Sequence, residues 1–165
     1  MFVMDGHMAY QLEIAAIMTA TALFGLRFII VHKLRKKQTI ENFPVAHQRL
    51  IIAMASAANT DGTLEPAELD TIHEMINRLS WREYSSDEVR NLILATKPVQ
   101  TKSQLAKLGK GLLATQKLAI LKAAHAVAGA DGKVCNSENG FLNRLATGLK
   151  LPNGDVQAVL ARQPV

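Results

Sequence analysis

Two short acidic segments hold the side chains best suited to chemistry. The first runs from Asp61-Gly62 to Glu68, and the second, 70 positions later, runs from Asp131-Gly132 to Glu138. Carboxylate oxygens are the ligands that Ca²⁺ and Mg²⁺ prefer. The sequence therefore predicts weak binding of a divalent cation, Ca²⁺ or Mg²⁺, at these two loops, and no other cofactor. The candidate metal ligands are Asp61, Glu65, Glu68, Asp131 and Glu138.

The first acidic segment matches only the second half of an EF-hand loop. Asp61 would take position 5 of that loop and Glu68 position 12, but positions 1 and 3 are Ala57 and Asn59. Because Ca²⁺ needs six or more oxygen ligands, a tight EF-hand site is not expected. The residues leave open a second interpretation, in which the same carboxylates only cap helices.

Enzyme chemistry is not indicated elsewhere in the sequence. The five histidines form no His-x-x-x-His or Cys/His ligand pattern. The single cysteine, Cys135, has no base near it in sequence and cannot form an internal disulfide, which suits a reducing compartment. Phosphate-binding glycine loops, nucleophile elbows and paired catalytic carboxylates are not found. We therefore expect a binding protein rather than an enzyme.

The elements that position the two acidic segments are predicted to be duplicated helical hairpins. A shift of 70 positions aligns Asp61-Gly62 with Asp131-Gly132, and the apolar positions on both sides keep helical spacing. Each half reads as an Ala-rich helix, over 44–59 or 115–130, an Asp-Gly corner and a second helix. The glycine favours the left-handed backbone that such a corner requires.

The remaining segments also predict helices. Ser85 and Glu88 form a capping box that predicts a helix from Ser86, with Trp81 as an anchor of the preceding loop. An amphipathic helix is expected over 101–113, and a last helix after Asn153. The predicted fold is all-α, a bundle of about seven helices over residues 39–165, made of two pseudo-two-fold related halves.

The first 38 residues predict a membrane anchor. Residues 14–31 are apolar, small or Thr apart from Arg27, and as a helix they cover roughly 27 Å of a ~30 Å bilayer core. Basic residues follow this run, so the positive-inside rule predicts a single span of the inner membrane with the C-terminal domain in the cytoplasm. A helix lying on the membrane surface, or a core helix, stays an alternative. The residues expected to contact lipid headgroups are Arg27, Lys33, Arg35, Lys36 and Lys37.

The net charge of +5 is unevenly distributed along the chain. Residues 38–96 hold nine acidic and four basic side chains, whereas residues 97–165 hold three acidic and ten basic ones. This asymmetry suits a homodimer or an unknown protein partner. It also supports an alternative function, nucleic-acid binding, although aromatic side chains and a recognition helix are missing there. The lysines of that alternative are Lys102, Lys107, Lys110, Lys117 and Lys122.

These motifs resemble the TerB-like family, named for tellurite-resistance protein B and including the N-terminal domain of the membrane-anchored DjlA co-chaperones. The family pattern is an Ala-rich helix, Asp-Gly-x-apolar-x-x-x-Glu and a second helix, seen here at 57–68 and more loosely at 128–138. The resemblance covers residues 45–162 and implies an all-helical, membrane-proximal scaffold for tellurite and other stress responses, with metal at its acidic loops. No His-Pro-Asp tripeptide is present, which implies a member without a J domain.

Overall fold

The computed structural model describes residues 43–161 of the 165-residue chain, and these residues form α-helices and no strand. They belong to the second of two units, Met1–Thr39 and Ile40–Val165. The helices of the described range are α1 (Val45–Ala58), α2 (Pro66–Leu79), α3 (Ser86–Ala95), α4 (Lys102–Gly109), α5 (Ala114–Ala128), α6 (Asn136–Leu149) and α7 (Asn153–Leu160). The predicted all-α fold is confirmed.

Most helices begin where the sequence supplies a cap. The predicted capping box of α3 is present: the Glu88 backbone N–H donates to Ser85 Oγ at 3.3 Å, and the Ser85 N–H donates to Glu88 Oε2 at 2.9 Å. Thr101 and Gln104 form the same arrangement at α4. Such reciprocal bonds satisfy backbone donors that the first helical turn leaves unpaired.

Small side chains bring the two Ala-rich helices together. α1 packs most extensively on α5, and the contact buries Ala53 and Ala57 on α1 with Ala124 and Ala128 on α5. Each of these helices also contacts the second helix of the other hairpin, α1 with α6 and α5 with α2. Reciprocal contacts of this kind are those expected of duplicated halves, while a two-fold axis itself stays a prediction.

The segment between the hairpins packs on the second hairpin, where α4 and α6 meet backbone to backbone. A Cβ atom added at Gly148 would lie 2.8 Å from Leu105 Cβ and 2.9 Å from the Leu105 carbonyl carbon. A Cβ added at Gly109 would lie 3.2 Å from Leu149 Cα. Glycine is therefore required at this crossing, and the C-terminal ends of α4 and α6 lie side by side.

α4 is shorter than the sequence predicts. The amphipathic pattern extends to Leu113, but the helix ends at Gly109 and the chain turns through Gly111, which has φ +76°. The apolar pattern is nonetheless correct, since Leu105 and Leu108 are buried and Leu112 packs against the core. A glycine in the left-handed region ends the helix while leaving the apolar residue after it in contact with the core.

Trp81 is not the anchor of the loop before α3, because 91% of it is exposed. Tyr84 takes that place: its ring stacks on Phe43 with centroids 5.8 Å apart and lies 3.8 Å from the guanidinium carbon of Arg82. Asn77 on α2 binds the backbone of Tyr84 on both sides, accepting its N–H at 2.7 Å and donating to its carbonyl at 3.1 Å. The loop is thus held by Tyr84 rather than by its largest residue, Trp81.

The predicted anchor over residues 1–38 lies outside the described residues, as does its boundary with the helical domain. Within residues 43–161, no helix has the length and apolar character needed to cross a bilayer.

Candidate functional site

The first acidic corner is a tight turn whose carboxylates bind the backbone. Asp61 Oδ1 accepts the Thr63 N–H at 3.0 Å, and Gly62 turns the chain with φ +90°. Glu68, in the first turn of α2, reaches back so that its Oε2 accepts the Glu65 N–H at 2.9 Å. Pro66 fills the first helical position, where no N–H is needed. Asp61 and Glu68 therefore act as turn and cap residues, as the second interpretation of the sequence predicted.

The second corner repeats this geometry with different residues. Asp131 Oδ1 accepts the Lys133 N–H at 2.9 Å, Gly132 has φ +88°, and Glu138 Oε2 accepts the Cys135 N–H at 2.6 Å. Helices α2 and α6, which begin at Pro66 and Asn136, start 70 positions apart as well. Two corners of the same backbone geometry thus follow the two mutually packed helices.

Glu68 is the buried member of the set, with only 7% of the residue exposed. Burial raises the pKa of its carboxyl from an ordinary 4.5 to about 7, the Glu65 N–H lowers it, and the charges of Asp61, Glu138 and Glu65 raise it further. The charge of Glu138, in the second corner, is among the causes that raise the pKa of Glu68. The two corners are therefore coupled electrostatically through Glu68.

The predicted metal ligands have the oxygen atoms that a divalent cation prefers, but their side chains do not converge on one point. Within residues 43–161, no three His, Cys, Asp or Glu side chains converge as a ready-made metal site. Glu68 and Glu138 each use Oε2 for a backbone N–H, so each keeps Oε1 for another partner. Capping and cation binding are therefore compatible for these two glutamates. A bound cation would also offset the repulsion around Glu68.

The other predicted site residues divide into two groups. The predicted lipid-contact residues, Arg27 and Lys33 to Lys37, lie outside the described residues. Of the five lysines predicted for nucleic acid, three line one groove beside the ends of α4 and α6: Lys107, Lys110 and Lys117. Lys102 and Lys122 are exposed and do not line it.

Sequence reasoning missed two features of the sites. It did not single out Lys150, which lines the same groove, because nothing in the sequence marks a lysine at a left-handed helix end. It also named Glu68 as a helix cap and candidate ligand without foreseeing that the residue is buried. No local pattern of residue types carries that information.

The comparison with known families agrees with the duplicated corners. The family model described as "Tellurite resistance protein TerB" matches residues 47–161, well over half of the chain. No curated protein and no solved structure matches the chain. The matched range contains both Asp-Gly corners and runs from α1 to the end of α7. On this match, the chain belongs to the TerB family of tellurite-resistance proteins.

Proposed function

We propose that the chain is a non-enzymatic, membrane-tethered scaffold of the stress response, directed at tellurite, metals or the cell envelope, which binds a divalent cation weakly at its two corners. The observation that supports the proposal most directly is the buried carboxyl of Glu68, whose pKa is raised by its burial and by the charges of Asp61, Glu138 and Glu65. Keeping a carboxyl buried among negative charges is unfavourable. A bound divalent cation offsets this unfavourable free energy, and release of the cation restores the repulsion between the carboxylates.

The proposed ligands are the Oε1 atoms of Glu68 and Glu138, which accept no backbone N–H, together with the carboxylates of Asp61, Glu65 and Asp131. Ca²⁺ or Mg²⁺ supplies positive charge there and performs no reaction. Because cation binding needs ionised Glu68, it displaces the proton that the raised pKa holds near pH 7. Affinity for the cation therefore rises with pH between about 6 and 8.

The cation proposal is tested by calorimetric titration of Ca²⁺ and Mg²⁺ into the full chain at pH 6 and pH 8. We expect saturable binding with a Kd of about 10⁻⁴–10⁻³ M, tighter at pH 8. The double variant Glu68→Gln/Glu138→Gln keeps both side-chain oxygens that accept the backbone N–H groups and should lose the binding. The matched control is Glu88→Gln, which alters the capping glutamate of α3. Absence of saturable binding in the wild-type chain at pH 8 would refute the proposal.

The tether is proposed from the apolar run 14–31 and the basic residues after it, which by the positive-inside rule favour a helical domain in the cytoplasm. A carbonate wash of membranes tests it, because a spanning segment stays in the pellet and a surface-bound chain is released. Reporter fusions at each end determine the orientation. Release of the chain by carbonate, or a reporter that places the C-terminus outside, contradicts the tether as proposed.

The scaffold is proposed to bind another protein or a second copy of the chain. Its acidic and basic halves offer surfaces of opposite charge for such contacts. Affinity capture from membranes, comparing the wild-type chain with Glu68→Gln/Glu138→Gln, tests whether the corners control the contact. A partner that is captured by the wild type and lost from the variant is the expected result. Equal capture by the wild-type chain and the variant would contradict this, because the partner would then bind a surface that does not depend on the corners.

A further inference from the structure

Four lysines surround one groove on the second hairpin. The groove has a volume of about 490 Å³, and Lys107, Lys110, Lys117 and Lys150 line it together with Ser103. Its wall includes Gly109 and Gly148, the residues that let α4 and α6 touch. We name this feature the lysine groove. It contains no acidic side chain, and the sequence from Val89 to Ala130 contains none either.

The side chains of the four groove lysines form no salt bridge or hydrogen bond with other described residues. Within residues 43–161, the salt bridges are Arg78–Glu74 and Arg82–Glu88, and no side-chain hydrogen bond involves the four lysines. Ammonium groups gathered around one concave surface repel each other. The cluster therefore costs free energy in the unliganded chain, and a bound anion would recover it.

The ordinary explanation for lysines at helix ends does not account for this cluster. Cations often sit there to satisfy the last carbonyls and the helix dipole. At α4 that place is taken by Arg49, whose guanidinium donates to the carbonyl of Leu108 at 3.0 Å and also to that of Lys110. At α6 the backbone closes the end itself, since the Leu151 N–H donates to the Ala146 carbonyl at 3.2 Å.

Lys150 occupies the groove at a conformational cost. Its φ is +55°, the left-handed region, where glycine or asparagine usually ends a helix. The position would accept glycine without strain, yet it carries a long cationic side chain that lines the groove. A side chain retained against backbone strain points to a role for the side chain itself.

We propose that the lysine groove binds a phosphate-bearing anion through Lys107, Lys110, Lys117 and Lys150. Lysines act as point charges towards phosphate oxygens, and the Ser103 hydroxyl adds a hydrogen-bond donor. The volume is within the range of small-ligand sites, and the four lysines all line this one concavity. The groove has no aromatic side chain on which a base could stack, so an extended nucleic acid is disfavoured.

The phosphate group belongs either to a free polyphosphate or to a lipid headgroup, and two soluble probes distinguish them. The full chain, in a zwitterionic detergent, is titrated with inorganic tripolyphosphate and, separately, with dihexanoyl phosphatidic acid below its micelle concentration. Binding of tripolyphosphate alone assigns a free phosphate ligand, whereas tighter binding of the lipid assigns a headgroup. Binding of neither probe overturns the proposal.

The decisive comparison uses two triple variants of equal charge. Lys107→Gln/Lys110→Gln/Lys117→Gln changes the groove, and Lys97→Gln/Lys122→Gln/Lys133→Gln changes exposed lysines that do not line it. We expect the groove variant to weaken binding of the preferred probe by about tenfold or more and the control by less than about threefold. Equal losses in both variants would mean that net charge alone attracts the anion, and would overturn the proposal.

A single variant separates binding from folding. Lys150→Gly removes one groove charge and relieves the left-handed strain, so the Tm should stay equal or rise while affinity for the probe falls by about threefold. Unchanged affinity in Lys150→Gly contradicts the role of Lys150.

A 20-base-pair DNA duplex is the last probe: binding weakened equally by both triple variants would indicate an extended nucleic-acid face instead of the lysine groove.

Discussion

At the scale of single residues, Glu68 shows how one side chain takes two tasks. Its Oε2 closes the first turn of α2 through the Glu65 N–H, while burial and neighbouring carboxylates make its ionisation unfavourable. The capping task requires only an oxygen acceptor, which a glutamine also provides. The pH-dependent effect of Glu68 requires a carboxylate, which can ionise. Substitution of Glu68 by glutamine therefore keeps the cap and removes the ionisation.

Glu68 should make the stability of the chain fall as pH rises from about 4.5 to about 7. Its pKa is higher in the folded chain, about 7, than the ordinary 4.5, so the folded chain binds the proton more tightly in this window. The stabilising contribution is complete below pH 4.5, is lost as pH rises through 7, and amounts to roughly 3 kcal/mol. Urea unfolding at pH 4.5 and pH 7.5 measures it.

The control for that prediction is the glutamine variant of Glu68. Its stability should lack the part of the pH dependence that Glu68 contributes, whereas Glu88→Gln should keep it. A wild-type chain and a Glu68→Gln variant with parallel stability curves across this window would show that the carboxyl ionises freely in the folded chain.

The role of a residue could be predicted from the sequence where its hydrogen-bond partners lie within a few positions along the chain. The capping box of Ser85 and Glu88 and the Asp-Gly turns involve partners within three positions, and all of them are found as predicted. The burial of Glu68 and the exposure of Trp81 depend on distant segments. Those two outcomes could not be derived from residue type and spacing.

At the scale of helices, the crossing of α4 and α6 depends on one glycine. The substitution Gly148→Ala places a methyl group 2.8 Å from Leu105 Cβ and 2.9 Å from its carbonyl carbon, so one helix must shift. We expect a loss of about 1–3 kcal/mol in the free energy of unfolding, measured by urea titration.

The matched control for the glycine crossing is Gly154→Ala in α7. A Cβ there meets nothing within 4 Å, and alanine favours helix over glycine, so stability should rise by about 0.5–1 kcal/mol. Equal effects of the two substitutions would argue against close contact between α4 and α6.

The loop between α2 and α3 should depend on Asn77. The substitution Asn77→Ala removes both bonds to the Tyr84 backbone and leaves the Tyr84 N–H unpaired, while the Tyr84 carbonyl keeps its contact with His73 Nε2 at 2.6 Å, so the loss should be about 1–3 kcal/mol. Thermal unfolding measures the loss. Asn143→Ala, which removes one exposed bond to the Asn139 carbonyl on α6, should change stability by under about 0.5 kcal/mol.

Helix positions could be predicted because the spacing of apolar residues and the capping residues are recognisable within a short stretch of sequence. The predicted start of α3 at Ser86 is confirmed, and helices α1 and α5 differ from their predicted ranges by one or two residues at each end. The predicted helix over 101–113 extends too far, since periodicity continues beyond the turn at Gly111. The pairing of α4 with α6 was not predicted, because a glycine contact leaves no periodic apolar signal.

At the scale of the whole molecule, the contact between α1 and α5 joins the two hairpins. Ala53 on α1 and Ala124 on α5 are fully buried, and these two helices form the most extensive contact between helices in the described residues. The hairpins are therefore expected to unfold together rather than one after the other.

Overpacking this contact should loosen both hairpins at once. The substitution Ala124→Leu adds three carbon atoms at a fully buried position on α5 and should cost about 1–3 kcal/mol. Amide hydrogen exchange should speed up in α1 and α2 as well as in α5. Faster exchange confined to α5 would show that the hairpins are stabilised independently.

The all-helical fold and its duplicated order followed from the sequence because the repeat is visible at a fixed shift. The effect of Glu138 on the pKa of Glu68 did not follow from the repeat, because it joins residues of the two different hairpins. The lysine groove could not be foreseen, because it joins residues from α4, the start of α5 and the end of α6.

The likeness of the two corners has an evolutionary consequence. Between Asp61–Glu68 and Asp131–Glu138, identity survives at only three of eight places, namely the aspartate, the glycine and the final glutamate. Sequence drift has replaced every other residue, including Glu65 by Cys135 and Pro66 by Asn136, without altering the path of the chain. Leu64 and Val134 pack against the core and both are apolar, so four of the five differing places are open to redesign. A library randomised at those four would retain folded clones far more often than one randomised at the three retained positions.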